Sequence, residues 1–148
     1  GRAGRGEKSG TVWIQTRDVN QPCWQYVRSH DYDGFFENEL ERRRIRNYPP
    51  FTKLALIRLN FPMQWEEGMG YVNQLAHTGR RAAQQHGVLF LGPAPAPMGL
   101  LRGRKRFNCL LKAGDWPSIR SVFATVRNAL PPNPRLRLSL DIDPVDMM

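Results

Sequence analysis

Arg135-Leu136-Arg137-Leu138-Ser139-Leu140-Asp141-Ile142-Asp143 alternates apolar and polar residues without a break. A period of two turns Leu136, Leu138, Leu140 and Ile142 to one side of a strand, and Arg135, Arg137, Ser139, Asp141 and Asp143 to the other. A strand with one apolar face needs a cover, and the residues just before it supply one. Asp115 is placed to cap a helix whose stripe is Trp116, Ile119, Val122, Phe123, Val126 and Leu130, closed by Pro131 and Pro132. Further back, Lys105, Phe107, Cys109 and Leu111 alternate against Arg104, Arg106, Asn108 and Leu110, which predicts another strand.

The pattern continues toward the amino end. Val88–Leu91 reads as a short buried strand, followed by a proline-studded loop, Gly92-Pro93-Ala94-Pro95-Ala96-Pro97. From Glu66 to Gln85, Met69, Val72, Leu75, Ala76, Gly79, Ala82 and Ala83 recur at three and four, an amphipathic helix with Gly87 as its stop. Ala55, Ile57, Leu59 and Phe61 alternate as one more strand, ended by Pro62. Strand, helix, strand, strand, helix, strand over residues 51–148 predicts an α+β fold. It is the ferredoxin-like split βαβ order, an antiparallel sheet with two helices on one face. The open face then carries Arg58, Arg104, Arg106, Arg135 and Arg137; a register error of one residue would exchange the two faces.

Asn47-Tyr48-Pro49-Pro50-Phe51 stops any helix and marks a domain boundary. Residues 18–50 before it read as a helical connector. Pro22 can open a first helix, and Asp31 caps a second whose stripe is Tyr32, Phe35, Phe36, Glu39, Leu40 and Arg43. That helix runs out in Glu41-Arg42-Arg43-Arg44-Ile45-Arg46. Cations suit a helix C-terminus, so the run has a structural use as well as a phosphate-binding one, and the structural use is preferred. Residues 1–17 remain. Thr11–Thr16 alternates as a short strand, preceded by the glycine-rich Gly1-Arg2-Ala3-Gly4-Arg5-Gly6. A chain opening in such a loop is expected to be part of something larger.

Charge narrows the partners. The 148 residues carry 22 Lys plus Arg against 13 Asp plus Glu, a net +9. Residues 1–50 hold 9 basic and 7 acidic side chains, and 51–148 hold 13 and 6, so the surplus belongs to the predicted sheet domain. A polyanion is the natural partner of such a surface, though a plain soluble basic domain has the same composition. No stretch has the length of apolar residues that a membrane span needs, and no signal segment opens the chain, so a cytoplasmic protein without membrane contact is expected. Cys23 and Cys109 have no metal-site spacing, His30, His77 and His86 share no motif with a nucleophile, and Asp141 and Asp143 lack a third ligand. No metal site and no nucleophilic triad are expected; Asp141 is expected to pair with arginines across the sheet.

Gly1–Gly10 is not a Walker-type phosphate loop, because Glu7 precedes Lys8-Ser9 and a strand rather than a helix is expected to follow. Gly1-Arg2-Ala3-Gly4-Arg5-Gly6-Glu7-Lys8 with Ile14-Gln15-Thr16 instead resembles motif VI and the last strand of superfamily-two helicases. The resemblance is narrower still, to the family of PriA-type replication-restart helicases. It continues through Asp31-Tyr32, Phe35, Glu39-Leu40, Arg43-Arg44 and Tyr48-Pro49-Pro50-Phe51. It then takes in Leu91 through Pro97, Arg102-Gly103-Arg104, Leu110-Leu111-Lys112 and Asp141-Ile142-Asp143-Pro144, in the family's order along nearly the whole chain.

The resemblance implies the carboxy-terminal part of an ATP-dependent 3′–5′ DNA helicase, with residues 1–17 ending the second motor lobe and 51–148 forming the family's C-terminal domain. It implies forked or single-stranded DNA, single-strand-binding protein and other primosome proteins as partners. ATP and Mg2+ would be held mostly by upstream residues, with zinc bound by cysteines also upstream. Arg2 and Arg5 match the arginines that reach the ATP phosphates, Arg5 as the finger; the fragment alone is not expected to hydrolyse ATP. Two departures stand out: Lys105 and Asn108 replace an aromatic and a glutamine common in relatives, and Trp116 stands near a partner-contacting arginine of some relatives. The expected DNA contact is Arg102-Gly103-Arg104-Lys105-Arg106, read as a basic loop, together with Arg58. The alternative from another class is a stand-alone RNA- or ribosome-binding ferredoxin-like module without ATPase activity.

Overall fold

In the computed structural model residues 10–145 are described. They fall into two compact units that divide between Arg42 and Arg43.

The first unit holds helix α1 (Cys23–Ser29) and most of α2 (Tyr32–Ile45). Pro22 stands at the N-cap of α1, and His30, at φ 55, closes it by donating its N–H to the Tyr26 carbonyl. Asp31 then caps α2 as expected, its Oδ1 accepting from the Gly34 N–H at 2.9 Å. Tyr26 of α1 lies edge-on to Phe35 of α2 at 6.1 Å, and within α2 Tyr32 stacks on Phe36 at 6.3 Å. No residue of either helix is buried.

The strand expected over Thr11–Thr16 does not form. Residues 10–16 have no strand pairing, and Val12, Trp13 and Ile14 are 64%, 91% and 52% exposed. Alternation says how a strand would face; it does not supply the neighbour whose backbone must accept and donate its hydrogen bonds.

The second unit opens with the end of α2. Asn47 takes φ 51, its N–H donates to the Arg44 carbonyl, and the Tyr48 N–H donates to the Arg43 carbonyl. This is the Schellman pattern, with Asn in place of the usual glycine. Four strands follow: β1 (Lys53–Pro62), β2 (Leu89–Leu101), β3 (Arg104–Ala113) and β4 (Arg137–Ile142). They form one antiparallel sheet in the order β2-β3-β1-β4. Helix α3 (Gly68–Gln85) links β1 to β2, and α4 (Trp116–Ala129) links β3 to β4, which completes the ferredoxin-like fold expected.

The core lies between sheet and helices. Ile57, Leu59 and Phe61 from β1 meet Leu75 of α3 and Ile119, Val122 and Val126 of α4, all fully buried. Each such side chain contributes roughly 1.5–3 kcal/mol by leaving water. Asp115 caps α4 as expected, accepting from the Ser118 N–H at 2.8 Å. In α3 the expected stripe holds except at Met69, which is 40% exposed while Gly68 takes the buried position beside Phe61.

Further expectations change. The strand expected to be buried over Val88–Leu91 starts at Leu89, and its Leu89 and Leu91 are 51% and 48% exposed. The proline-studded loop is strand: β2 runs through it as an edge of the sheet, with register shifts after Leu91 and after Pro95. An edge strand tolerates Pro93, Pro95 and Pro97 because N–H groups on its outer side have no strand to donate to. At the first shift Gly92 has φ +108, and a Cβ there would lie 2.7 Å from the Asn108 carbonyl oxygen, so glycine is required. The last strand begins at Arg137, and Arg135 belongs to the turn before it.

Candidate nucleic-acid interface

Register decides which side chains share the open face of the sheet. Asn60 of β1 pairs with Arg106 on one side and Arg137 on the other; Arg58 pairs with Asn108 and Ser139; Pro62 pairs with Arg104. Directly paired residues point the same way. Since Ile57, Leu59 and Phe61 face the helices, Arg58, Asn60, Arg104, Arg106 and Arg137 face away from them. The face assignment made from alternation therefore holds for four of its five arginines, and Arg135 leaves the set by lying in a turn.

Internal bonds divide these cations into two kinds. Arg58 Nη2 donates to Asp141 Oδ2 at 2.7 Å, as expected for that carboxylate. Arg104 is held by three bonds: Nε to Asn60 Oδ1 at 2.7 Å, Nη2 to the Asn60 carbonyl at 3.1 Å, and Nη2 to the Arg135 carbonyl at 2.7 Å. It stitches β3 to β1 and to the turn that leads into β4. Partial burial, and after it the neighbouring Arg137 cation, lower the Arg104 pKa from its usual value. Arg106 makes one long contact, Nη1 to the Met98 carbonyl at 3.5 Å. Arg137 is exposed.

The expected basic loop is resolved into three placements. Arg102 and Gly103 form the two-residue turn between β2 and β3, with φ 49 and φ 69, flanked by the Leu101–Arg104 pair. Positive φ at both central residues is the type I′ hairpin geometry, which matches the twist of the strands. The Met63 N–H donates to the Gly103 carbonyl at 2.8 Å and ties the turn to the end of β1. Arg104 and Arg106 lie on the open face with Arg58. Lys105 pairs with Phe61 and Leu100, so it belongs to the opposite face. Arg2 and Arg5 lie outside the described residues.

The other end of the same face is apolar. Leu54 and Leu56 point away from the helices yet are 5% and 3% exposed. Lys112, paired with Leu54, has its Nζ 3.6 Å from the centre of the Tyr48 ring, and Arg44 lies 5.0 Å over Phe51. The Tyr48-Pro49-Pro50-Phe51 segment therefore engages two cations by itself. Sequence reasoning read it as a helix stop, a domain boundary and a family motif but gave it no contact with a cation, and it left Asn60 out of the site. The signal for Asn60 was present in its parity with Arg58 along β1.

Cys109 is buried in the core, and that burial pushes its thiol up to about 12 against a smaller opposing pull from Arg80. Among the described residues no three His, Cys, Asp or Glu side chains are grouped to hold a metal ion. In the first unit Cys23, Tyr26, Val27, His30 and Phe35 line an open apolar cleft of about 400 Å3. No described helix is long and apolar enough to cross a membrane.

Comparison with known proteins gives one consistent result. The family model described as the primosomal protein N C-terminal domain matches residues 44–145. The chain is 33% identical over 147 residues to the replication restart protein PriA of Synechocystis, covering 99% of this chain and 17% of that protein. It is 31% identical over 148 residues to the PriA of Haemophilus influenzae, covering 99% and 20%, and 33% identical over 112 residues to that of Bacillus subtilis, covering 76% and 14%. The chain spans about a fifth of the length of the curated relatives it matches.

Proposed function

The chain belongs to the primosomal protein N C-terminal domain family, and on that premise we propose that it is the DNA-gripping end of a replication-restart helicase. The parent protein unwinds DNA 3′ to 5′ with ATP at stalled forks and D-loops, promotes primosome assembly, and works in the bacterial cytoplasm. The observation that carries this reading is the open sheet face, where Arg58, Asn60, Arg104, Arg106 and Arg137 converge from three strands. Guanidinium forks on fixed strands bind phosphate oxygens through paired N–H donors and read no base. Such a surface gives affinity for many sequences, which a protein recruited to arbitrary stall sites requires.

The motor chemistry rests on residues outside the described part. Bound ATP with Mg2+ supplies the phosphoryl group whose hydrolysis drives unwinding. This chain's share is the pair Arg2 and Arg5, whose charges offset those developing at the phosphates.

Two measurements test the reading. In the full-length parent, replacing Arg102, Arg106 and Arg137 with Ala should weaken forked-DNA binding uniformly across sequences. The slope of log affinity against log salt should flatten by up to about 3 units, near 0.9 for every phosphate no longer neutralised. An unchanged slope rejects the face as a DNA-binding surface. DNA-stimulated ATPase of the parent should fall about 10³-fold or more in Arg5→Ala; wild-type turnover would remove Arg5 from the motor.

A further inference from the structure

Resting on the reading that this face touches DNA, we infer that it takes the sugar–phosphate backbone of a duplex arm rather than the unstacked bases of a single strand. The binding runs through Arg106 and Arg137 on either side of Asn60.

The placement of the aromatics carries the first part. Sheets that hold single strands do so by stacking bases on exposed rings, which is worth about 1–3 kcal/mol per base. The strands of this sheet contain three aromatic residues, Phe61, Phe90 and Phe107. All three belong to the helix-covered face: Phe61 is buried in the core, Phe90 pairs with Leu111, and Phe107 pairs with Leu59 and stacks on Phe61 at 5.9 Å. Tyr48, near the open face, has its ring engaged by Lys112.

Arg58 and Arg104 already commit N–H donors to Asp141, Asn60 and the Arg135 carbonyl, donors that a phosphate would otherwise take. They position the face. Arg106 and Arg137 remain as the outward forks, in one cross-strand row with Asn60 between them. Their Cα atoms are therefore two strand spacings apart, roughly 9.6 Å. Cations fixed on strands gain most from phosphates that are themselves fixed and dense. A duplex offers one charge per about 1.7 Å of axis, whereas a flexible single strand must first lose conformational entropy.

The test is equilibrium binding by fluorescence anisotropy, with the full-length parent and its Arg106→Gln/Arg137→Gln variant. The probes are a blunt duplex of about 20 base pairs and an oligothymidylate with about the same number of phosphates. For the duplex, the salt slope should flatten by about 1.8 units, while oligothymidylate affinity stays within about twofold. An Arg106→Lys/Arg137→Lys variant, which keeps the charge, should recover most of the duplex slope and guards against a folding defect in the first. Equal or greater weakening for oligothymidylate overturns the duplex assignment but leaves the face as a DNA-binding surface. No change for either probe overturns both this inference and the binding face itself.

Discussion

Arg58 and Asp141 are 83 residues apart in sequence and 2.7 Å apart in space, Nη2 to Oδ2. Arg58 pairs directly with Ser139, two residues before Asp141 along β4, so the ion pair runs diagonally across the β1–β4 ladder. It joins the six-residue edge strand β4 to its inner neighbour β1, and it matches one positive charge of the open face with a negative one.

Asp141→Asn separates those two effects. The side chains are 25% and 41% exposed, so solvent screens the pair and its removal should cost only about 0.2–1 kcal/mol in a urea or thermal unfolding measurement. Binding should move the other way. With the carboxylate charge gone, duplex affinity of the parent should rise at low salt and the salt slope should steepen by up to about 0.9. A flatter slope would show that Asp141 does not offset the binding face.

Arg102 is a non-glycine residue at φ 49 in a type I′ turn, a position that asparagine and glycine fill with less strain. Arg102→Asn should therefore raise unfolding stability by about 0.5–1 kcal/mol while flattening the DNA salt slope by about 0.9. Calorimetry and anisotropy on the same preparation check both signs. A lower Tm would remove the strain argument.

Two glycines of α3 should respond with opposite signs. A Cβ on Gly79 would lie 2.5 Å from Phe90 Cε2, whereas one on Gly70 would have nothing within 4 Å. Gly79→Ala should destabilise by about 1–3 kcal/mol through overpacking. Gly70→Ala should stabilise by up to about 1 kcal/mol, since alanine is the better helix former. Chemical denaturation midpoints of the two variants, measured side by side, decide the matter; equal shifts would mean the helix is not seated on Phe90.

Cys109 supplies a pH signature. Its thiol pKa is raised by burial to about 12 in the folded chain, against 9.0 when unperturbed. Folding therefore favours the neutral thiol, and the unfolded chain releases a proton first as pH rises. The contribution is fully present below about 9 and declines toward 12, by roughly 1.4 kcal/mol per pH unit. The stability difference between wild type and Cys109→Ala should shrink from pH 8 to pH 10. At pH 8 a thiol reagent should modify the half-buried Cys23 in the native protein and reach Cys109 only on unfolding. Rapid native labelling of both would contradict the burial.

What the residues determined alone is the part governed by local periodicity and caps. The alternation of Ala55 through Phe61 and of Leu136 through Ile142, the stripes beginning at Val72 and at Ile119, and the caps at Asp31 and Asp115 each depend on neighbours within a few positions. Those signals were enough for the ferredoxin-like order and the buried side of the sheet; the family came instead from a resemblance carried by motifs such as Tyr48-Pro49-Pro50-Phe51 and Asp141-Ile142-Asp143-Pro144. Pairing partners came only from tertiary structure, because a backbone hydrogen bond needs a second strand that periodicity does not reveal. Thr11–Thr16 alternates yet pairs with nothing described, while Pro93 through Pro97 breaks every propensity rule and still joins β3 as an edge. The same cause split Arg102, Arg104, Lys105 and Arg106 among a turn tip and two opposite faces. Which guanidiniums are held by Asn60 and Asp141, and which point outward beside Asn60, follows from bonds spanning 44 and 83 residues, and only the folded sheet creates them.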